Sequence, residues 1–447
     1  MAIFEPGRLG NVTFENRVLR SSVGGRMCAY NGMVTDVWKN FEMRFAAGGV
    51  GGMISTTFNV DPERQSPLEY PSIADDRYIA PLRNRLAEIK SKTGCRYIVQ
   101  IGDPGYATQM SLFPQRADAL SSSSGFDFLY GYVNRRIEMT AAEIEQAIER
   151  FAAAALRARE AGADGIEITA EKGYLIHQFL NPGMNRRTDA WGGTPEKRFR
   201  FLAEIVRAVR KRVGEDFLVG VRIAAVDHNS FPIQAFLSRW PIVFPLKHHV
   251  RGNNLPQMLA YARELKTLGV GYFHVVQGYG FINPKGNPGT FPVEEIKLFV
   301  NATRHLGRKA AVRAALINLV PNVLARPLFN IGWRYQEGIS LDYADAFRRE
   351  TGLPVIANGG FQNRTAIEGA LQGKADFVSM ARALIANPDL LKLYRAERTI
   401  PQGKECLFCN KCCARTATSP LGCYNEERFA SLAEMQEQIL AYNMPDP

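Results

Sequence analysis

One unit recurs along most of this chain: a short apolar or β-branched run followed by an amphipathic helical segment. Strand-like runs lie at residues 17–23, 50–58, 96–101, 165–169, 217–223, 271–276, 354–358 and 375–380. Helical patterns lie between them at 35–47, 80–93, 140–161, 195–213, 255–268, 292–306 and 363–371. Strands that alternate with helices become parallel neighbours joined by right-handed crossovers. Eight units therefore predict an α/β protein with a closed (β/α)8 TIM barrel. An open sheet is disfavoured because the sequence lacks its glycine-rich dinucleotide motif.

Three segments interrupt this pattern. Residues 116–139 are predicted to form a long loop, 229–254 are aromatic and basic, and 308–349 are predicted to form extra helices. Long insertions at the top of a barrel are usually lids or substrate walls, with peripheral packing inserts as the alternative. The pattern stops near residue 395, where a Cys-rich tail begins that has a final helix at 432–442. We therefore predict a barrel over residues 1–395 and, over 396–447, an extension packed on it.

Composition and charge exclude several classes of protein. With 46% apolar and 22% charged residues among 447, a large folded core is expected. The net charge is +11, but lysines and arginines are mixed with acids instead of forming the clustered patch of a nucleic-acid reader, so we expect a surface that attracts anionic substrates. The sequence shows no signal-peptide pattern and no apolar run of about 18 residues. We therefore expect a cytoplasmic protein without a nucleic-acid or membrane partner.

Five of the seven cysteines fall within 18 residues near the end of the sequence. Such crowding argues against a distributed disulfide framework, and without an export signal it indicates a metal or cluster site. The candidate ligands are Cys406, Cys409, Cys412, Cys413 and Cys423.

Residues 164–193 carry the densest polar chemistry in the chain. Four proton-active side chains follow the apolar run at 165–169: Glu171, Lys172, Tyr174 and His177. The polar run NRRTDAWGG comes next. A parallel β/α enzyme builds its active site by delivering ionisable groups at the carboxyl ends of buried strands. We therefore predict an active site at the end of the fourth strand, with His177 more typical of a packed residue at a helix start than of a catalyst.

Two strand ends have the features of a phosphate site. Gly359 and Gly360 follow the seventh strand, and Ala381 and Arg382 follow the eighth. In phosphate-binding barrels the loops after these strands supply backbone N–H groups, glycine permits close approach, and arginine adds a bidentate charge pair. A Gly-Gly pair alone is only a turn, but two adjacent strands that end this way favour phosphate binding.

Other strand ends suit a flat heteroaromatic ring. Gln100 offers an amide donor and acceptor in the third strand, and the first strand ends in the small residues SSVGG. Arg222 interrupts the apolar run of the fifth strand, and a buried arginine needs an anionic partner. That partner is either Glu167 in the fourth strand or a cofactor that develops negative charge on reduction.

Taken together, these motifs resemble those of a known family. The opening FEPGRLGNVTFENRVLRSS, the run GYLIHQFLNPGMNRRTDAWGG and the end PVIANGGFQ with SMARALIANPD are similar to the Old Yellow Enzyme-like NADH:flavin oxidoreductases over about residues 3–395. The resemblance implies a TIM barrel with non-covalent FMN that NADH or NADPH reduces. By position, it implies ring contacts from Ser22, Val23, Gly24, Thr57 and Gln100, stabilisation of the reduced ring by Arg222, and phosphate contacts from Gly359, Gly360, Ala381 and Arg382.

The tail is similar to the branch of that family that contains 2,4-dienoyl-CoA reductase and trimethylamine dehydrogenase. That branch carries a [4Fe-4S] cluster on a Cys-x2-Cys-x2/3-Cys…Cys motif. Matching positions here are Cys406, Cys409, either Cys412 or Cys413, and Cys423. The resemblance implies a cluster that either exchanges electrons with a partner or is structural. Tetrahedral zinc is the main alternative, because four thiolates suit either, and thiols without a metal are the third.

The catalytic positions depart from the family. Its usual His-x-x-His or His-x-x-Asn pair after the fourth strand is replaced by Thr169 and Lys172. Thr169 donates only a weak hydrogen bond, whereas Lys172 offers a positive charge, or an acid if burial lowers its pKa. Tyr174 matches the proton donor of many relatives. The resemblance implies that flavin N5 gives a hydride to the β-carbon of an activated C=C bond in a small-molecule substrate. Lys172 then polarises the activating group, and Tyr174 or Lys172 protonates the α-carbon.

Two other functions stay open. An FMN and iron–sulfur amine or alcohol dehydrogenase would pass electrons from its substrate to an electron-transfer partner. A non-catalytic flavin-binding protein would use the same residues without turnover. The sequence does not set the substrate, the choice between NADH and NADPH, or the oligomeric state, so a homo-oligomer is also left open.

Overall fold

The computed structural model describes residues 2–64, 69–107, 119–126, 135–229, 251–280, 283–306, 308–416 and 418–443. Most of the insertion at 229–254 and about half of the insertion at 116–139 therefore lie outside the described residues.

Eight parallel strands close into a barrel. They are β1 (Val18–Arg20), β2 (Gly52–Ile54), β3 (Arg96–Gly102), β4 (Gly165–Ala170), β5 (Leu218–Ala224), β6 (Tyr272–Val276), β7 (Val355–Asn358) and β8 (Phe377–Met380). Each strand pairs with the next one along the chain, and β8 pairs with β1 through Val378 and Val18, which closes the ring. The prediction of a (β/α)8 TIM barrel is confirmed.

Helices cover the outside of the barrel because each buries one apolar face against the strands. The principal ones are Asp36–Ala47, Ile79–Thr93, Ala141–Glu160, Pro195–Val213, Leu255–Thr267, Val293–Ala302, Leu341–Thr351 and Arg364–Leu371. Shorter helices lie at Leu175–Leu180, Arg382–Ala386, Leu390–Arg395 and Lys411–Arg415. Residues Thr140 and Glu143 form a capping box that satisfies two backbone N–H groups at the start of Ala141–Glu160.

An antiparallel hairpin, Gly7–Leu9 with Val12–Phe14, closes the amino-terminal end of the barrel. Two of its side chains, Leu9 and Phe14, are fully buried against side chains contributed by seven of the eight strands: Leu19, Ile54, Ile98, Leu218, Tyr272, Ile356 and Phe377. Because apolar side chains fill this end, the room for a ligand lies at the opposite, carboxyl end of the strands, where TIM barrels place their sites.

The insertions have structure of their own. The segment predicted to be a long loop contains a small three-stranded sheet made by Ala119–Ser121, Gly125–Phe126 and Arg135–Glu138. The loop prediction was wrong there because strands of two to four residues are too short to show an alternating pattern. The predicted extra helices are present as Arg308–Asn318, Asn322–Phe329 and Leu341–Thr351.

The tail beyond residue 395 lies against the barrel. Its final helix is Leu432–Leu440, and Tyr442 just after it meets Phe41 edge-on with ring centroids 5.5 Å apart. Arg428 is buried and donates hydrogen bonds to the carbonyl oxygens of Lys404, Glu405 and Ala386. These carbonyl groups supply the several acceptors that a buried guanidinium needs. Arg428 thereby links two parts of the tail to each other and to Ala386 at the end of the barrel.

Candidate active site

A cavity of about 350 Å³ opens at the carboxyl end of the strands. Its lining includes all ten residues predicted to bind FMN and two of those predicted to be catalytic: Ser22, Val23, Gly24, Thr57, Gln100, Arg222, Gly359, Gly360, Ala381, Arg382, Lys172 and Tyr174. The volume is within the range of about 300–1,000 Å³ that small-molecule sites occupy. The barrel therefore brings these residues together in one place, and their individual roles stay predictions.

Gln100 in β3 holds a hydrogen-bond network at this cavity. Its Oε1 accepts from the hydroxyls of Ser22, at 2.9 Å, and Thr57, and its Nε2 donates to Oε1 of Glu167 at 2.7 Å. These partners determine which end of the amide accepts and which donates. Gln100 therefore faces the cavity in one orientation.

Beneath Gln100 lies a buried pair that sequence reasoning missed as a unit. Oε2 of Glu167 is 3.0 Å from Nδ1 of His274, whose Nε2 is 2.8 Å from the hydroxyl of Ser379. Burial favours a higher pKa for Glu167, but His274 and Arg222 outweigh it and the pKa of Glu167 is lowered. Burial lowers the pKa of His274. We infer an ionised Glu167 beside a neutral His274, and the polar residue inside the apolar run YFHVV was the signal that could have found it.

Arg222 in β5 is buried at the same level. Its Nη1 donates to the Ser21 hydroxyl at 3.2 Å, and its Nε lies 3.3 Å from Oε1 of Glu171. Glu167, one of the two anionic partners that the sequence left open for Arg222, is held instead by Gln100 and His274. Within the described residues, Nε of Arg222 and Oε2 of Glu171 are buried without a hydrogen-bond partner. An unsatisfied guanidinium N–H at a cavity wall fits an acceptor on a ligand.

The ends of β7 and β8 form a tight backbone cradle. Gly359 and Gly360 both have positive φ, 127° and 78°, which favours glycine. A Cβ on Gly359 would lie 2.7 Å from Cγ2 of Ile339 and 3.1 Å from its backbone nitrogen, so a larger residue does not fit. Arg382 extends beside them, with Nη1 2.6 Å from the carbonyl oxygen of Pro288 and 2.5 Å from Oδ1 of Asn410. In the sequence alone, Gly359 and Gly360 could form either a simple turn or a phosphate cradle. In the structure Arg382 lies beside them, as a phosphate cradle would require.

Lys172 lies in a strained turn after β4. Its φ is 58°, an uncommon conformation for a residue with a side chain. The side chain is buried, and Nζ donates a hydrogen bond to the carbonyl oxygen of Gly286 at 3.0 Å. Burial, together with the charges of Arg222 and Arg382, lowers the pKa of Lys172 to about 8, and Glu171 opposes this shift. Near neutral pH the side chain is a cation that gives up its proton easily.

His177 and Asp227 support this turn from behind. Nδ1 of His177 accepts a hydrogen bond from the backbone N–H of Gly173 at 3.0 Å, so Nε2 carries the proton and lies 2.8 Å from Oδ1 of Asp227. Both side chains are fully buried. The expectation that His177 is a packed residue agrees with this burial, but its link to Asp227, 50 positions away, was not visible in the sequence.

Thr169 is the predicted catalytic residue that lies apart from the cavity wall. It is 1% exposed, and its hydroxyl is buried without a hydrogen-bond partner among the described residues. The small side chain instead lies close to Gly102 of β3. Its catalytic role stays a prediction.

The five clustered cysteines divide into two groups. Cys406, Cys409, Cys412 and Cys423 line a second cavity of about 20 Å³, whereas Cys413 faces the large cavity. Nη1 of Arg428 lies 3.0 Å from Sγ of Cys423. Among the described residues, no group of three or more His, Cys, Asp or Glu side chains is placed to hold a single metal ion. The tail thus gathers four thiols around one space without the close spacing that one ion requires, about 2.3 Å from each sulfur.

Residues 2–234, more than half of the chain, match the model of the NADH:flavin oxidoreductase / NADH oxidase family. The chain belongs to this family. The enzyme class expected from the sequence, an FMN-dependent oxidoreductase, agrees with this family membership.

Individual relatives agree with that assignment. The chain is 28% identical over 413 residues to an NADH oxidase of Thermoanaerobacter brockii. The aligned region covers 92% of this chain and 53% of that relative. Its fold matches 2-naphthoyl-CoA reductase in complex with 2-naphthoyl-CoA, with a TM-score of 0.73, 21% identity and coverage of 94% and 56%. It also matches histamine dehydrogenase from Rhizobium sp. 4-9, with a TM-score of 0.70, 19% identity and coverage of 98% and 53%.

At these identities, the structural likenesses show the fold alone. The chain spans about half the length of this sequence relative and of these two structural neighbours. In the part of the chain that the structure describes, no helix is long and apolar enough to cross a bilayer.

Proposed function

We propose that this protein is an FMN-dependent NAD(P)H oxidoreductase that reduces an activated C=C bond of a small molecule. The observation that carries the proposal is the convergence of Lys172 and Tyr174 on the cavity that the ten expected flavin residues line. A cation and a phenol at one wall are what polarisation of an activating group and protonation of the neighbouring carbon require.

The residues present fit FMN. Among the described residues, the buried Nε of Arg222 is 3.3 Å from Oε1 of Glu171 but makes no hydrogen bond, and Gly359 in the cradle has no room for a Cβ. Arg382 would pair with the phosphate, and Arg222 would stabilise negative charge on the ring. When bound, FMN supplies hydride transfer between the nicotinamide and the second substrate.

The chain's own residues have distinct tasks in this proposal. Lys172 approaches the electron-withdrawing group of the substrate, and its hydrogen bond to Gly286 holds the ammonium in place when no substrate is bound. Tyr174 lies at the cavity wall and donates its phenolic proton to the substrate α-carbon. The buried Glu167 is ionised and holds the orientation of Gln100, which keeps the hydroxyls of Ser22 and Thr57 in place.

We further propose a [4Fe-4S] cluster held by Cys406, Cys409, Cys412 and Cys423. Their shared cavity supports this ligand set, and the position of Cys413 at the other cavity supports Cys412 as the third ligand. Tetrahedral zinc is the alternative occupant, because four thiolates suit either group.

One observation favours a second function, an amine or alcohol dehydrogenase that passes electrons to a partner. Four residues line both cavities and so separate the expected flavin from the expected cluster by a single layer: Arg382, Ile385, Phe408 and Asn410. This proximity suits electron transfer between two redox groups. A structural neighbour, histamine dehydrogenase, and a sequence relative that is 34% identical over 232 residues, N,N-dimethylglycine/sarcosine dehydrogenase of Chromohalobacter salexigens, are consistent with it.

An anaerobic experiment on the purified, cofactor-loaded protein separates these functions. The visible spectrum is recorded with iron, zinc and flavin analysis, and then NADH, NADPH or a panel of amines and alcohols is added. Bleaching by a nicotinamide, followed by reoxidation with cyclohexenone or a nitroalkene, supports the reductase. Bleaching by amines alone supports the dehydrogenase, and a protein that binds no flavin contradicts both.

A further inference from the structure

Residues 304–336, which we name the apolar–basic segment, form an unusual surface beside the active site. The segment contains six lysines and arginines and no aspartate or glutamate. It includes the helices Arg308–Asn318 and Asn322–Phe329. Arg304, Arg308 and Arg334 are exposed.

The described positions that the two helices bury are small, whereas most of their large apolar residues are exposed. Ala314 and Ala325 are buried, but Leu316 is 61% and Val323 76% exposed. A surface helix of a globular protein normally shows the opposite pattern, with its large apolar side chains facing the core. These helices therefore present their apolar faces outward.

This exposure is concentrated in one place. Of the fourteen large apolar side chains that are exposed among the described residues, ten lie between 298 and 335: Leu298, Val312, Leu316, Leu319, Val323, Leu324, Leu328, Phe329, Ile331 and Tyr335. Contiguous exposed apolar surface of this kind marks an interaction site.

We propose that the apolar–basic segment docks on an anionic phospholipid surface. Helices with aliphatic side chains on one face, flanked by cations and lacking acids, lie in the plane of a membrane interface and prefer anionic lipid. The absence of any acid in the segment argues against a second copy of this chain, because a twofold interface would place cations opposite cations. Leucine and valine, which dominate the patch, are also poor hot-spot residues in protein–protein interfaces.

The position of the segment adds a reason for such docking. Phe329 on the patch stacks on Phe291 with ring centroids 5.7 Å apart, and Phe291 packs on Trp333 at 5.3 Å. Both Phe291 and Trp333 line the large cavity. An apolar molecule dissolved in the lipid would therefore reach the active site along one continuous aromatic surface. This entry route depends on the proposed function, whereas the docking itself does not.

The proposal departs from the expectation, drawn from the sequence, of no membrane partner. That expectation rested on the lack of a long apolar run, which detects membrane-spanning helices. Here the apolar residues are spread over two short helices that no hydropathy window of that length would identify.

Vesicle co-sedimentation tests the docking with the flavin-loaded protein. Vesicles contain either phosphatidylcholine alone or phosphatidylcholine mixed with phosphatidylglycerol. We expect binding to the mixed vesicles that weakens with salt. Leu316→Ser with Val323→Ser should weaken binding at least tenfold, since both side chains are exposed in the patch. Arg304→Glu with Arg308→Glu should weaken it by at least about 25-fold, at about fivefold for each cation removed.

Matched variants elsewhere on the surface serve as controls. Leu432→Ser with Leu440→Ser changes two exposed leucines of the final helix, and Lys211→Glu with Arg398→Glu reverses two exposed cations outside the segment. Both should bind as the unchanged protein does. Absent binding, equal binding to both vesicle types, or equal loss in the control variants overturns the proposal. A dimer or a stable protein complex that only the patch variants dissociate also overturns it in favour of a protein partner.

Discussion

The ammonium group of Lys172 donates a hydrogen bond to the carbonyl oxygen of Gly286 at 3.0 Å, which joins the loop after β4 to the loop after β6. The two residues are 114 positions apart and both line the active-site cavity. Because Lys172 is buried with a positive φ, the surrounding structure must hold a strained backbone and a charge that burial disfavours.

Replacement of Lys172 tests its role in polarising the substrate. Lys172→Met should slow reoxidation of the reduced protein by an activated alkene by about 100-fold or more, the usual effect of a positioned acid or charge. Reduction by NAD(P)H should change far less. In the unchanged protein, alkene reduction should decline as pH rises through about 8, where Lys172 loses its proton.

Stopped-flow measurement of the two half-reactions at several pH values checks this prediction. Lys172→Arg is the control. Because a guanidinium group stays protonated at these pH values, alkene reduction by this variant should show no decline near pH 8. An unchanged pH profile in Lys172→Arg would show that another group titrates.

The same residue should affect stability in the flavin-free protein. The folded-state pKa of Lys172, about 8, is below the value of about 10.4 in an unfolded chain. The unfolded state therefore binds more protons between these pH values, and the free energy of unfolding rises with pH across that window. At pH 7 Lys172→Met should be more stable than the unchanged protein by up to about 3 kcal/mol, the equivalent of that pKa difference.

Urea denaturation at pH 7, 8.5 and 10 of both proteins measures the difference. The advantage of Lys172→Met should shrink as pH rises above about 8. A difference that is constant with pH would mean that packing, and not charge, separates the two proteins.

Arg222 should determine flavin affinity. Arg222→Met should weaken FMN binding by about 10- to 100-fold, because a hydrogen bond to a charged group contributes about 1.5–3 kcal/mol. It should also lower the flavin midpoint potential, since negative charge on the reduced ring loses its partner. Titration by flavin fluorescence, with Arg96→Met at the exposed, opposite end of β3 as the control, measures the change. Equal affinities for both variants would contradict the placement of the ring beside Arg222.

The two adjacent cysteines should differ in cluster assembly. Cys412→Ser should lose most of the iron and the associated visible absorbance, because Cys412 lines the small cavity. Cys413→Ser should retain the iron, because Cys413 faces the large cavity. Iron analysis after anaerobic reconstitution distinguishes them. The reverse result would exchange the two ligands, and iron-free protein in every variant would remove the cluster from the proposal.

His177 and Asp227 should act as one positioning unit. His177→Leu removes the acceptor for the Gly173 N–H and should slow alkene reduction by about 100-fold, the cost of displacing a reacting group by about 1 Å. Asp227→Asn should have a similar effect, and the double variant should be no slower than either single one. Half-reaction kinetics with flavin occupancy checked by absorbance test this. Additive losses would indicate two independent roles.

Local pattern was sufficient for the framework of the fold. All eight strands were predicted with their cores in place, and the capped helix Ala141–Glu160 was predicted to within two residues. The first strand was predicted to reach residue 23 but ends at Arg20, because residues 21–24 leave the sheet to line the cavity. The small sheet within residues 116–139 was missed, because its strands are stabilised by pairing and not by their own composition.

The sequence by itself determined the barrel and the residue types at its strand ends, because periodicity and turn chemistry act over a few neighbouring residues. Only the tertiary structure decided the pairings. Arg222 lies beside Glu171, Cys412 and Cys413 face different cavities, and the helices after residue 308 expose their leucines. Each of these outcomes depends on which distant segment barrel closure brings close, or on which face of a helix the packing leaves exposed. The pattern of residues along the sequence carries no information about either of these.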